Sequence, residues 1–490
     1  MYHSRLAFAL AMAALAAILM PSSLTAQITF QRTYEVPHGC LGYSTQQTAD
    51  GGYVIAGTVW LTATGPTDMY LIKTDAYGDT LWTRTYGGDS NDYAYSVQQT
   101  TDSGFVIAGM TYSFGAGGAD VYLVKTNANG DTQWTRTYGG TRNDGGYCVR
   151  QTLDGGFVIA GDIGPETAAS NVYLIRTNAM GIERWARTLG SGYEAYGYSV
   201  QQTSDGGYIV AGSMDSLGMD DFDVYLVRTD SNGGTLWVRR YGGDELDEGF
   251  SVQQTADSAF IVAGSTYSFG AGEFDAYLVK TKPNGDTLWT KTLGGEGCDY
   301  AYSLQLTRDS GYVIAGQMWI PDSTENDACL IKTDAHGNAL WTRTYGGTAD
   351  DEGRCVQPTS DGGYVIAGSS ASFVTDTTLF YLVKTDSLGT LGVAESKAIP
   401  PRAPALALTC EPNPFRTRTA ISLQLTADSP AELAIFDMGG RRVRALTVNR
   451  APCTVWDGKD ELGQPLPSGA YFARLAAAGQ HATTCIVLQR

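Results

Sequence analysis

Aspartate recurs at two positions of a repeated unit in this chain of 490 residues. The first set precedes an apolar run in five of the repeats and comprises Asp68, Asp120, Asp223, Asp275 and Asp327. The second set lies between repeats and comprises Asp92, Asp144, Asp247, Asp299 and Asp351. Carboxylates gathered at one face of a folded repeat attract Ca²⁺ or a cationic ligand. We therefore predict these ten residues as candidate ligand-binding residues, with hydrogen bonding within loops as the competing interpretation.

The calcium interpretation has no support from loop spacing. No segment has the D-x-[DN]-x-[DN]-G arrangement of a calcium-binding loop. We therefore predict no cofactor and no metal site, and keep a calcium-stabilised adhesin as an alternative.

Two tryptophans lie in loops that depart from the repeat. Trp60 opens the segment W-L-T-A-T-G, and Trp319 opens W-I-P-D-S-T-E. Loops that differ between repeats are favoured places for a ligand, and an indole ring can stack on a sugar. Trp60 and Trp319 are therefore candidate ligand-binding residues, and ordinary loop packing is the alternative.

Catalytic signatures are lacking in the sequence. The four histidines, His3, His38, His336 and His481, fall in separate regions, and neither G-x-S-x-G nor H-E-x-x-H occurs. Two carboxylates could still meet across a central funnel and hydrolyse glycosidic bonds. We predict no catalytic residue and a non-enzymatic protein, with an enzyme acting on extracellular polysaccharide as the alternative.

The charge and the cysteines narrow the class of protein further. With 33 Lys and Arg against 51 Asp and Glu the net charge is −18, which disfavours a nucleic-acid partner. None of the eight cysteines forms a C-x-x-C pair, so zinc ribbons and thioredoxin-like motifs are disfavoured. Disulfides and buried free thiols both remain open.

One unit, written seven times, must position these residues. The segment G-G-Y-V-I-A-G recurs with small changes, ending at Gly57, Gly109, Gly161, Gly212, Gly264, Gly316 and Gly368. Tryptophan keeps the same spacing at Trp82, Trp134, Trp185, Trp237, Trp289 and Trp341. A period near fifty residues is typical of propellers and solenoids.

Each repeat reads as four short strands. In the second repeat these are Tyr95–Thr100, Phe105–Gly109, Asp120–Thr126 and Gln133–Tyr138, separated by Gly, Asp and Asn turns. The seventh repeat lacks its Leu-Trp strand, and residues 28–34 match that strand, with Phe30 in the place of Trp82. We therefore predict an all-β, seven-bladed β-propeller over residues 27–392, closed by its N-terminal strand.

Charged residues that recur in all seven repeats have a structural interpretation. Each turn between the first two strands carries an aspartate, as at Asp50, which caps its own turn. The third strand carries Lys or Arg, as at Lys73, and the fourth carries another, as at Arg84. We predict that these cations pair with turn carboxylates and cover aromatic faces.

The N-terminus has the layout of a secretory signal peptide. Leu6–Met20 is an apolar run of fifteen residues after one positive charge, and small residues lead to a cleavage point after Ala26. No other apolar run approaches the length of a membrane span. We predict a signal peptide over residues 1–26, no transmembrane span, and a mature protein that is secreted or held at the outer cell surface.

The tail forms a second domain. Residues 393–407 are rich in Ala and Pro and read as a linker. Alternating strands over residues 408–490 fit a small β-sandwich. Its motifs run in the order P-N-P-F, I-F-D-x-x-G-R-x-V-R-x-L, W-D-G-x-D-x-x-G and P-S-G-x-Y-F-x-R-L. Their marker residues are Pro412, Asn413, Pro414, Phe415, Trp456, Asp457, Gly458, Gly469 and Tyr471.

This motif order resembles the C-terminal type A sorting domain of type IX secretion substrates and is similar to the Ig-like domain of the flagellar hook-capping protein. The final Val487–Arg490 departs from it, because a lysine-containing stretch is common there in that family. The repeats resemble the G-G-Y-V-I-A-G propeller arrays that accompany such tails in exported bacterial proteins. The resemblance implies an Ig-like domain that is read by the outer-membrane secretion machinery and serves export or surface attachment.

The leading hypothesis from the sequence is a secreted or surface-displayed bacterial protein. Its propeller would be a binding or structural scaffold, and its ligand would be an extracellular protein or glycan. The polysaccharide-acting enzyme and the calcium-stabilised adhesin are the competing hypotheses.

Overall fold

The structure, a computed structural model, is built from β-strands. It describes residues 27–36, 38–164, 169–190, 193–215, 221–320, 325–374, 377–391, 406–411, 413–425, 431–437, 441–446, 453–477 and 480–490. Within these ranges there is no helix. The chain divides into two compact units, Met1–Val393 and Ala394–Arg490. The predicted signal peptide and most of the predicted linker lie outside the described residues.

Among the described residues, twenty-eight strands belong to the first unit. The first fourteen are β1 (Phe30–Tyr34), β2 (Cys40–Gln47), β3 (Tyr53–Trp60), β4 (Thr67–Thr74), β5 (Thr80–Tyr86), β6 (Asp92–Gln99), β7 (Phe105–Thr111), β8 (Asp120–Thr126), β9 (Thr132–Tyr138), β10 (Asp144–Gln151), β11 (Phe157–Ile163), β12 (Asn171–Thr177), β13 (Glu183–Leu189) and β14 (Ala195–Gln202). The next fourteen are β15 (Tyr208–Asp215), β16 (Phe222–Thr229), β17 (Thr235–Tyr241), β18 (Asp247–Gln254), β19 (Phe260–Thr266), β20 (Asp275–Thr281), β21 (Thr287–Leu293), β22 (Tyr300–Leu306), β23 (Tyr312–Trp319), β24 (Asn326–Thr333), β25 (Ala339–Tyr345), β26 (Asp351–Pro358), β27 (Tyr364–Ser370) and β28 (Leu379–Thr385).

These strands form seven antiparallel sheets of four strands each. Six sheets use four consecutive strands, starting at β2, β6, β10, β14, β18 and β22. The seventh has the order β1-β28-β27-β26, so its outer strand comes from the other end of the unit. Phe30 is paired with Lys384, as Trp82 is paired with Lys73 in the first sheet. The N-terminal strand therefore takes the register of the strand that the seventh repeat lacks.

Apolar side chains fill the space between neighbouring sheets. One core cluster combines Val54 and Leu71 of the first sheet with Val97, Ile107 and Val124 of the second, all buried. The same arrangement recurs at the other junctions, and β27 of the last sheet contacts β2 of the first. Because strands buried on both faces read as continuous apolar runs, the repeated Y-V-I-A-G segment becomes the second strand of each sheet. The repeated sheets and their closed succession are the architecture of a β-propeller.

Glycine permits the closest approaches between sheets. Gly130 turns the chain between β8 and β9 with φ +78°, where a Cβ atom would lie 2.7 Å from the indole ring of Trp82 in the preceding sheet. Any side chain here would be strained by the backbone and would collide with the ring. Tyr86 adds to this junction, since its hydroxyl donates to the Gly130 carbonyl at 2.7 Å.

The described residues of the second unit form two antiparallel sheets around one core. Its strands are β29 (Leu406–Glu411), β30 (Thr419–Leu425), β31 (Ala431–Phe436), β32 (Arg442–Leu446), β33 (Cys453–Trp456), β34 (Gly469–Ala477) and β35 (Gln480–Leu488). The sheet orders are β29-β30-β33 and β32-β31-β34-β35. Trp456 is buried between Phe415 and Tyr471, with ring centroids 5.4 and 5.3 Å away.

Candidate functional site

The turn aspartates form ion pairs with the buried third-strand cations, as the sequence predicts. In the last sheet, Lys384 is buried and its Nζ atom lies 2.9 Å from Asp361 Oδ2. Asp361 also accepts from the Gly363 N–H at 3.1 Å, closing its own turn. Burial of the Asp361 carboxyl opposes ionisation, but hydrogen bonds from Thr359 and Lys384 outweigh it and lower the pKa. This set of charges holds each turn on its sheet.

The fourth-strand cations cover tryptophan rings, again as predicted. Arg84 lies over Trp82 with its guanidinium carbon 5.4 Å from the ring centroid. The same contact recurs at Trp134, Trp185, Trp237 and Trp341, at 5.2 to 5.8 Å. Repeated cation–π contacts of this kind contribute to packing between sheets.

The ten predicted aspartates come together as five carboxylate pairs. Each pair joins the start of the third strand in one sheet to the start of the first strand in the next. The pairs are Asp68 with Asp92, Asp120 with Asp144, Asp223 with Asp247, Asp275 with Asp299, and Asp327 with Asp351. Both carboxylates of a pair pack closely against one glycine, which has no side chain to collide with them. At Gly87, for example, a Cβ atom would lie 2.1 Å from Asp68 Oδ1 and 2.6 Å from Asp92 Oδ2. The two junctions without a pair carry Asn171 opposite Ala195 and Leu379 opposite Cys40.

These carboxylates are largely buried, and many of them bind loop backbone. Asp92 is fully buried and accepts from the Gly88 N–H at 2.9 Å and from Ser113 Oγ at 2.7 Å. Its Oδ1 atom has no hydrogen-bond partner, and Asp68 Oδ1 shares this condition. Burial and the nearby Asp92 charge raise the pKa of Asp68 to about 6. The placement fits the loop-bonding interpretation, and ligand binding by the ten aspartates stays a prediction.

Metal ligation would need more donors than one pair supplies. Ca²⁺ takes six to eight oxygen ligands. Among the described residues no group of three or more His, Cys, Asp or Glu side chains could hold a metal ion.

A cavity of about 480 Å³ lies where the first strands of all seven sheets converge. One position of each sheet lines it as a ring: Gln46, Gln98, Arg150, Gln201, Gln253, Gln305 and Gln357. We call the six glutamines of this ring the inner glutamines. Around the rim the cavity is also lined by Leu153, which is 90 % exposed. We call this space the axial cavity. It offers amides, hydroxyls, one thiol and one guanidinium to a ligand.

A ring of hydroxyls joins the first strands beside the axial cavity. Five serine Oγ atoms accept from the backbone N–H of the next sheet at 3.1 to 3.2 Å, and these are Ser44, Ser96, Ser199, Ser251 and Ser303. Cys148 and Cys355 occupy the two remaining positions of this ring. The Cys355 thiol donates to the Thr45 carbonyl at 3.5 Å, and burial raises its pKa. The six described cysteine side chains are free thiols, so none of them forms a disulfide.

Aromatic rings pack at inclined angles in a second layer around the axis. Neighbouring centroids are 5.1 to 5.6 Å apart through the series Tyr43, Tyr95, Tyr147, Tyr198, Phe250 and Tyr302. Arg354 occupies the seventh position, with its guanidinium carbon 4.0 Å from the Tyr302 centroid. Its Nε atom donates to Glu352 Oε2 at 2.8 Å. The ring is thus closed by a cation that is itself paired.

Two carboxyl groups near this aromatic layer have raised pKa values. Burial raises the pKa of Glu248 to about 7. Burial also raises the pKa of Asp162 to about 6, against the hydrogen bond from Tyr147. Both charges act on the phenol of Tyr198, which places them in one electrostatic neighbourhood. Carboxyls that titrate near neutrality can serve as general acids.

The two predicted loop tryptophans have different surroundings. Trp60 lines a second cavity of about 680 Å³ at the junction of the last and first sheets, together with His38, Val374 and Thr377. Trp319 packs closely against the loop at Gly297. Glycine has no Cβ atom, and a Cβ atom at this position would lie only 2.3 Å from the Trp319 ring. Trp60 therefore lines a cavity, Trp319 packs on the Gly297 loop, and ligand binding by either tryptophan stays a prediction.

Most of the tail markers form structure rather than an open site. Phe415 and Trp456 lie in the core, and the Tyr471 hydroxyl donates to the Pro467 carbonyl at 2.8 Å. Asn413 Oδ1 accepts from the Val487 N–H at 2.8 Å, and Pro414 follows it through a cis peptide bond. Asp457 is exposed and accepts from the Lys459 N–H at 3.3 Å. Gly458 turns with φ +69°, Gly469 begins β34, and Pro412 lies outside the described residues.

The axial glutamines and Arg150 are absent from the sequence-based site prediction. Their signal was available, because glutamine recurs at the same repeat position and arginine replaces it once. Repetition alone does not show that one position faces a shared axis, and only the closed arrangement of sheets brings the seven side chains together.

The fold defines the class as a β-propeller protein. No protein-family model matches the chain. The regulatory protein FlaEY of Caulobacter vibrioides is 27 % identical over 210 residues, a match that spans 38 % of this chain and 21 % of that protein. In the described part of the chain, no helix is long and apolar enough to cross a membrane.

The solved structures that match the chain are distant from it in sequence. PorZ is an essential bacterial surface component of the type IX secretion system of Porphyromonas gingivalis. It is 11 % identical to this chain with a TM-score of 0.41, and the match covers 90 % of this chain and 58 % of the PorZ chain. The extracellular domain of BT4673 from B. thetaiotaomicron is 10 % identical with a TM-score of 0.44, and the match covers 94 % of this chain and 59 % of that domain. YCF48 bound to D1 peptide is 9 % identical with a TM-score of 0.44, over 75 % and 100 %.

Proposed function

We propose that this chain is a secreted or cell-surface bacterial protein whose seven-bladed β-propeller, closed by its N-terminal strand, is a binding scaffold. The axial cavity is the observation that carries the proposal. It is lined by the first strand of every sheet, and its volume of about 480 Å³ suits a small ligand or the end of a larger one. Amides and hydroxyls hold a ligand by hydrogen bonds, and neither group ionises near neutral pH.

Export through the tail is the second part of the proposal. The C-terminal unit is taken as an Ig-like sorting domain that the outer-membrane secretion machinery recognises. The packing of Trp456 between Phe415 and Tyr471 supports this role, because the motif residues build the core that such a domain would need. The signal-peptide pattern of residues 1–26 supports passage across the inner membrane.

The scaffold is tested with the purified mature chain on carbohydrate and protein arrays. We expect a saturable ligand and no product from it. Absence of binding to every probe on both arrays would contradict the scaffold.

Export is tested by expressing the full chain, and a chain lacking residues 394–490, in a bacterium with a type IX system. The full chain should reach the surface with its N-terminus at Gln27, and the truncated chain should stay in the periplasm. Equal surface display of both chains would contradict the sorting role.

A propeller enzyme acting on polysaccharide is the second candidate. The raised pKa values of Glu248 and Asp162 favour it, since a glycosidase needs a carboxyl group that is protonated near neutral pH. The test is a turnover assay on extracellular polysaccharides with the wild type and Glu248→Gln. Product that falls on this substitution would establish the enzyme and overturn the scaffold.

A further inference from the structure

Three of the six inner glutamines of the axial cavity have a defined orientation. The Oε1 atoms of Gln46, Gln98 and Gln201 each accept from a backbone N–H of the next sheet, at 2.7, 2.6 and 2.6 Å. Their N–H donors are at Gln99, Gln151 and Gln254. An amide whose oxygen is engaged in this way presents its NH₂ group to the remaining space. The Nε2 atoms of these three glutamines have no hydrogen-bond partner among the described residues, so the cavity presents donors.

The outer glutamines, which directly follow the inner ones in the sequence, form different hydrogen bonds. Gln99 uses both ends of its amide, accepting from the Ala49 N–H at 2.8 Å and donating to the Ser103 carbonyl at 3.4 Å. Gln202 does the same with Leu153 and Gly206. Gln99 and Gln202 therefore fix turns. The three oriented inner glutamines keep free donors. The free NH₂ groups thus belong to the ring position and not to the glutamine that follows it in the chain.

Arg150 adds a positive charge to these donors. It takes the ring position that glutamine has in the other six sheets, and it lines the same cavity. No carboxylate of the described residues pairs with it, and none lines the cavity. The third-strand cations differ in this respect, since each has its turn aspartate, as Lys125 has Asp102 at 2.8 Å. An unpaired guanidinium beside free amide donors is complementary to an anion rich in hydrogen-bond acceptors.

We propose that the axial cavity binds an acidic sugar, with its carboxylate on the Arg150 guanidinium and its hydroxyl and ring oxygens on the inner glutamine amides. The planar guanidinium matches a carboxylate through two parallel hydrogen bonds. Leu153 at the rim supplies an apolar surface for the C–H face of the sugar. This inference rests on the binding-scaffold function and names its ligand class.

The experiment is isothermal titration of the mature chain with glucuronate and with glucose as the neutral counterpart. Glucuronate should bind, and glucose should bind at least about tenfold more weakly, because a charge-assisted pair is lost. Arg150→Gln gives the cavity the residue of its other six positions and should weaken glucuronate about 10–100-fold. Arg142→Gln, at an exposed arginine outside the cavity, removes the same charge and should leave the affinity unchanged.

Thermal unfolding of each variant checks the fold. The inference is overturned if glucuronate does not bind, if glucose binds equally well, or if the two arginine variants lose affinity alike. Loss of affinity in folded Arg150→Gln alone supports it. Binding of some other array ligand with unchanged affinity in Arg150→Gln would overturn the acidic-sugar site and leave the scaffold standing. Failure of every array probe would remove the scaffold itself.

Discussion

Neutralising one carboxylate of a buried pair should make the protein more stable at pH 8. Asp68 and Asp92 face each other across Gly87, and Asp68 is only 8 % exposed. The change is Asp68→Asn, which keeps the size and shape of the side chain and removes its charge. The third sheet already carries asparagine at the equivalent position, Asn171, so the local backbone accepts this residue.

The magnitude follows from the pKa of Asp68. Burial, with the Asp92 charge, raises it to about 6 from the usual 3.8. The folded chain therefore holds this proton more tightly than the unfolded chain does. The resulting stability is full below pH 3.8 and is lost as the pH rises through 6. The loss is about 3 kcal/mol by pH 8. Because the asparagine amide of the variant cannot ionise, we expect the substitution to recover up to about 3 kcal/mol there and nearly nothing at pH 4.

The assay is denaturant unfolding of wild type and variant at matched pH values from 4 to 8. Asp361→Asn is the control, since this aspartate is bound by buried Lys384 and its pKa is lowered. A lowered pKa gives stability that is present above the usual value and lost as the pH falls. Asp361→Asn should therefore destabilise the protein at pH 8, with the opposite sign to Asp68→Asn. The reasoning is refuted if Asp68→Asn destabilises at pH 8 or if its difference from wild type does not change with pH.

Two further predictions address the ring and its carboxylates. Deleting Gln27–Tyr34 removes the five residue pairs between β1 and β28 and should lower the thermal midpoint, with a loss of about 5 kcal/mol; an unchanged midpoint would contradict closure by this strand. EDTA should leave the midpoint of the mature chain unmoved, because Asp92 and its counterparts bind N–H and O–H donors; a shift of several degrees that Ca²⁺ reverses would favour the calcium-stabilised adhesin.

Much of the fold was accessible from the repeat. The four strands predicted for the second repeat lie within a few residues of β6, β7, β8 and β9. They were predictable because short runs of β-branched and aromatic residues between Gly and Asp turns are typical of strands. The pairing of turn aspartates with third-strand cations was also predicted. The pairing between the two five-membered aspartate sets was not predicted. A signal for it was present, because the repeats that lack one aspartate of a pair lack the other at the same junction: Asn171 with Ala195, and Leu379 with Cys40.

The sequence by itself determined the strands, the repeat and the split last sheet, because these depend on local residue types and on a spacing that can be counted. Tertiary structure decided which side chains meet. Asp68 and Asp92 are 24 positions apart and belong to different sheets, and Arg150 joins six glutamines spread along more than 300 residues of chain. Only packing of each sheet on the next, and of the last on the first, turns equivalent positions into a buried pair or a shared cavity. The chemistry of this protein therefore arises from contacts between repeats, which the composition of a single repeat does not contain.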